Sequence, residues 1–81
     1  PFNPVTTLRF DLDYTSNVNV TIYNILGNEI ITLQNGELNA GRHALQWNAN
    51  NAYGQKVPSG LYLYKVISDN RSLTGKMLLM K

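Results

Sequence analysis

The chain contains no cysteine. It has no disulfide to brace it and no thiolate for catalysis or metal binding, so packing and strand pairing must supply its stability. The absence assigns no compartment, because it removes one argument for an oxidising environment without supplying one for a reducing environment. Charge is also sparse, 7 basic against 5 acidic side chains for a net +2. Arg9, Arg42, Lys56, Lys65, Arg71, Lys76 and Lys81 are scattered along the sequence, which excludes the basic stripe of a nucleic-acid reader. No apolar run approaches the roughly 20 residues of a membrane-spanning helix, so no membrane insertion is expected. His43, the only histidine, lacks the companions that a metal site or a catalytic triad needs and reads as a strand residue at a sheet margin. Helical periodicity is missing as well.

What is present is alternation. At 81 residues the chain makes one small domain with a thin core, burying roughly 60% of its unfolded surface. Pro1-Phe2-Asn3-Pro4 reads as the end of a linker from an upstream domain, and 5–81 as the folded unit. Leu8, Phe10 and Leu12 alternate with Arg9, Asp11 and Asp13, and Val18, Val20 and Ile22 alternate with Asn19, Thr21 and Tyr23, the period-two pattern of half-buried strands. Ile30 and Ile31 point opposite ways unless a bulge lies between them. Asn35-Gly36 and Ala40-Gly41 carry turn chemistry, leaving Glu37-Leu38-Asn39 as connection. His43, Leu45 and Trp47 share a face. Both alternating sets of Leu61–Ile67 are apolar or aromatic, which predicts a central strand buried on both sides, started sharply by Pro58-Ser59-Gly60. Asp69-Asn70 is a hairpin turn, and Leu73–Lys81 the last strand. Six to seven short strands without a helix predict an all-β, immunoglobulin-like antiparallel β-sandwich.

The candidate chemistry is thin. Asn48, Asn50 and Asn51 can offer carbonyl oxygens to calcium, but they bring no charge, and turn formation suits them better. Asp11 and Asp13 lie two apart on the solvated face of a strand, with no cleft-forming insertion to make them an acid/base pair. Trp47, Tyr62 and Tyr64 belong to the core rather than to a sugar-stacking platform, and only Tyr53, in a loop, is free to touch a ligand. These readings point away from an enzyme and call for no cofactor or metal. The last strand is more informative: Lys76 and Lys81 bracket Met77-Leu78-Leu79-Met80, with Met77 and Leu79 facing the core and Leu78 and Met80 facing away. Such a strand is either an edge guarded by lysines or an edge offered to a partner.

Taken together, Asn35-Gly36, Ala40-Gly41-Arg42-His43, Trp47, Gly54, Ser59-Gly60-Leu61-Tyr62-Leu63-Tyr64 and Thr74-Gly75-Lys76-Met77-Leu78-Leu79-Met80-Lys81 resemble the type A C-terminal sorting domain of the Bacteroidetes type IX secretion system. Pro1-Phe2-Asn3-Pro4 fits the start of that family. The chain departs from it at Asn48, Asn50 and Asn51, where aspartates are common. The resemblance implies a C-terminal address that takes a larger cargo through the periplasm and the outer membrane to the cell surface or medium. The partners it implies are the outer-membrane components of that system, a sortase that removes the domain, and a cargo domain upstream. It implies recognition through Lys76, Met77, Leu79 and Lys81, with Gly60 and Tyr62 positioning the strand. The same core pattern is similar to the immunoglobulin-like domain of flagellar hook-capping proteins, which makes a structural module, of that type or a spacer of an extracellular enzyme, the alternative and a carbohydrate-binding module the third reading.

Overall fold

A computed structural model describes residues 5–69 and 71–80. Six strands follow in order: β1 (Thr6–Leu12), β2 (Ser16–Asn24), β3 (Glu29–Leu38), β4 (Gly41–Trp47), β5 (Gly60–Ser68) and β6 (Arg71–Leu79). They form two antiparallel sheets, β1-β4 and β3-β2-β5-β6. The fold is thus the expected immunoglobulin-like β-sandwich, with six strands and, among the described residues, no helix. The linker assigned to residues 1–4 lies outside the described residues.

The alternation of β2 sets the core. Val18, Val20 and Ile22 are at most 1% exposed, each stabilising the fold by about 1.5–3 kcal/mol through burial of its side chain. From the second sheet, Leu8 of β1 and Trp47 at the end of β4 close over them, and Tyr62, Val66 and Leu79 complete the layer. Trp47 is fully buried; its indole Nε1–H donates to the Asn50 carbonyl at 2.8 Å, so the loop after β4 satisfies the one polar atom that the ring carries inward. The core is bounded on one side by the 48–57 loop, whose Ala49 and Val57 are also buried.

Three local expectations require correction. Asn35-Gly36 is no turn: both residues lie within β3, paired with Asn19 and Val18, and Glu37 and Leu38 continue the strand rather than forming a connection. Gly36 takes φ +152°, a conformation that its missing side chain permits, and it keeps its place in the ladder opposite Val18. The reversal comes later, where Gly41 at φ +125° opens β4. The second correction concerns β5. It lies between β2 and β6, central as expected, but only its inner face is buried. Tyr62 and Val66 are covered, whereas Leu61 and Ile67 are 43% and 40% exposed, because the β1-β4 sheet packs on one side of the four-stranded sheet only. The last strand, third, begins at Arg71 and ends at Leu79.

The ambiguity of Ile30 and Ile31 resolves by irregular pairing. The β2–β3 register shifts between Val20 and Thr21 and again between Ile22 and Tyr23, and both isoleucines pack against the core. An extra residue on one strand turns successive side chains to one face, as a bulge does.

Candidate functional site

The β5–β6 hairpin carries most of the residues singled out above. Its start is pinned by Tyr62, whose hydroxyl donates to the Pro58 carbonyl at 2.6 Å while its ring meets Trp47 edge to face at 5.1 Å. Burial pushes the Tyr62 phenol up from its ordinary value. Gly60 pairs with Leu79 and Tyr62 with Met77, so the two positioning residues lie directly across from two of the recognition residues. Leu79 is 2% exposed and sealed from a partner, whereas Met77 packs on the core while staying partly open. Lys76, across from Leu63, is exposed. Lys81 lies outside the described residues. The expected hairpin turn puts Ser68 opposite Arg71, with Asp69 at φ +46° as a tight two-residue turn demands; its other residue, Asn70, lies outside the described residues.

The outward face of this hairpin is apolar at one end. Leu61 stands across from Leu78, and Leu78 and Met80 are 64% and 71% exposed. Leu78 and Met80 were legible from their spacing; Leu61 and Ile67 were not, since nothing in the local sequence says which face of a doubly apolar strand stays wet. Gly75 sits inside β6 directly across from Tyr64, and the Tyr64 ring occupies the space that a side chain at 75 would need. A glycine within a strand was the available signal, since it marks a close approach.

At the other end of the sandwich, a cleft of about 500 Å³ opens between β1 and the β5–β6 hairpin. Phe10, Leu12, Val66 and Leu73 form its apolar lining, and Asp11, Asp13 and Arg71 stand at its rim. Asp13 and Arg71 form an exposed ion pair at 3.5 Å, which uses both groups in a weak, solvent-screened contact. His43 stacks on Phe10 at 5.5 Å and its Nε2 lies 2.7 Å from the Asn39 carbonyl, so the ring is held at the β4 margin by local contacts. In the asparagine-rich loop, Asn51 Oδ1 accepts from the Tyr53 and Gln55 amides at 2.9 and 3.0 Å; the side chain folds its own backbone. No group of three or more histidine, cysteine, aspartate or glutamate side chains suited to a metal ion occurs among the described residues. Tyr53 is 87% exposed.

Residues 5–72 match the family model described as FlgD Ig-like domain. The crystal structure of FlgD from P. aeruginosa superimposes with a TM-score of 0.72 at 22% sequence identity, covering 93% of this chain and 60% of that one. The chain therefore spans about three-fifths of the length of that solved structure. No curated protein matches the sequence. These findings overturn the reading as a type IX sorting domain, which rested on the ending of the chain and on features that the two families share. They support the alternative named beside it. The chain belongs to the family of FlgD Ig-like domains.

Proposed function

We propose that this domain is a non-catalytic structural module of the flagellar hook-capping type, one that holds a rigid surface in place within an assembly outside the cytoplasm. The observation that carries the proposal is the family match, which runs through five of the six strands and into the sixth. The internal chemistry suits a scaffold. The two buried polar residues among those described are satisfied within the fold, Ser16 Oγ donating to the Tyr14 carbonyl at 3.0 Å and Thr21 Oγ1 to Asn19 Oδ1 at 2.8 Å. No buried side-chain polar atom among the described residues is left aimed at a ligand. Fully satisfied polar groups stiffen a small core. In this reading the neighbours meet the exposed side of the β5–β6 hairpin, at Leu61, Lys76, Leu78 and Met80, rather than Met77 and Leu79 beneath it.

The test is a domain exchange. Residues 5–80 replace the matching region of the P. aeruginosa FlgD in a strain that lacks its own copy, and hooks are counted by electron microscopy. Hooks of normal length support the hook-capping assignment. A chimera that accumulates to the normal level and builds no hooks rejects it.

A further inference from the structure

The two outer strands of the four-stranded sheet are built differently. β3 is interrupted by two register shifts against β2, the kind of irregularity that blunts an edge. β6 has none: its pairing with β5 runs unbroken from Gly60↔Leu79 to Ser68↔Arg71, and among the described residues β5 is its only partner. Its only charged residues are Arg71 and Lys76. On the inner face Leu73, across from Val66, remains 51% exposed. A long, regular, uncovered edge with an apolar side chain left open is a template for another strand.

We propose that β6 is a homotypic docking edge, to which a second copy of this chain adds its own β6 antiparallel about a two-fold axis at Gly75, joining two four-stranded sheets into one. The sequence of the strand selects this partner and this register. Antiparallel pairing of all nine residues of β6 forces Gly75 onto its counterpart. Leu73 then lies across from Met77 of the second copy, Thr74 from Lys76, Ser72 from Leu78, and Arg71 from Leu79. No like charges stand directly opposed, the two Lys76 side chains lying diagonally across the axis, and the open Leu73 gains an apolar neighbour on the same face. With the axis at Lys76, two ammonium groups would stand directly opposed, which is unfavourable. With the axis at Thr74, Leu73 would face Gly75 and stay uncovered. An axis between residues would set inner positions against outer ones and separate Leu73 from the second copy's Met77. The strand is thus compatible with itself in the register of greatest overlap. In each copy the Tyr64 ring lies over Gly75, so the junction at the axis is covered rather than hollow. Most of β6 lies beyond the stretch that the family model matches, and the proposal does not depend on the hook-capping reading.

One added strand makes an interface at the small end of specific contacts, below about 1,200 Å², so the dimer is weak. Sedimentation equilibrium of residues 1–81 at about 10 µM to about 1 mM reads it directly. The expected result is a monomer–dimer equilibrium that Thr74→Lys weakens and Thr74→Glu strengthens, each by about 2- to 30-fold, because position 74 meets Lys76 twice across the axis. Thr74 also lies across from Lys65 in its own sheet, so the urea midpoint of each variant is measured alongside to confirm an intact fold. Adding Lys76→Glu to Thr74→Lys restores the dimer, since the opposed pair is then of opposite sign. A chain that stays monomeric throughout, or a dimer that both Thr74 variants shift in the same direction, overturns the proposal.

Discussion

Replacing Gly75 with alanine tests the packing of the hairpin most sharply. The added Cβ would collide with the Cζ, Oη and Cε2 atoms of Tyr64, which stands directly across the ladder. Either the ring swings off the core, to which it contributes, or β6 moves away from β5. Overpacking of this kind costs about 1–3 kcal/mol, while alanine in a strand regains about 0.5–1 kcal/mol of backbone entropy relative to glycine. For a clash at or above the middle of that range the net is a loss of about 1–2 kcal/mol, or about 4–16 °C in Tm for a domain of this size. Trp47, the only tryptophan and fully buried, reports unfolding by fluorescence in urea, where the midpoint falls by about 1–2 M at a slope near 1 kcal/mol per molar. The sign should reverse when the ring is absent. In a Tyr64→Ala background, Gly75→Ala should stabilise by about 0.5–1 kcal/mol. An unchanged midpoint with Tyr64 present, or the same loss in both backgrounds, refutes the reasoning.

Asn51→Ala removes the oxygen that accepts from the Tyr53 and Gln55 amides; in this exposed loop the expected loss is about 1 kcal/mol, read as a lower urea midpoint. Asp13→Asn breaks the exposed ion pair with Arg71 and should move stability by less than about 0.5 kcal/mol; a larger change in thermal unfolding would show that the cleft rim is structural. For Tyr62 the raised phenol value fixes a sign. Below about pH 10 both folded and unfolded chains keep the proton; above it the unfolded chain releases the proton while the folded one holds it, so stability falls as pH rises. Urea titrations across pH 9 to 11 should show that fall diminished in Tyr62→Phe, and an identical pH dependence in the variant counts against burial as the cause.

Features whose cause lies within a few residues were legible in the sequence, and those whose cause lies across the sheet were not. Val18, Val20 and Ile22 announce their buried face by alternation, and all three are sealed in the core. The spacing of Ile30 and Ile31 requires an irregular register, and the pairing supplies one. Asn35-Gly36 misleads because its turn chemistry is local while the ladder with Asn19 and Val18 holds it extended. For β5 the error came from composition: two apolar faces suggest two covers, but a sandwich of two sheets provides one, and Leu61 and Ile67 are left facing outward. The fit of Tyr64 into Gly75 joins residues on different strands and has no local signature beyond the glycine. The functional assignment misleads for a related reason: the turn, tryptophan and Gly-x-Tyr elements resemble sorting and hook-capping domains alike, and the ending of the chain does not separate the two, whereas the family match does.

Among the described residues the last strand of the sandwich is paired by β5 on one side only, and amide hydrogen exchange along Arg71–Leu79 in dilute solution reads that pairing residue by residue. Alternation is expected, with the amides that face β5 exchanging slowly and those on the open side exchanging fast. Uniformly slow exchange would mean a strand paired on both flanks, uniformly fast exchange a strand that never docks, and either result contradicts the account.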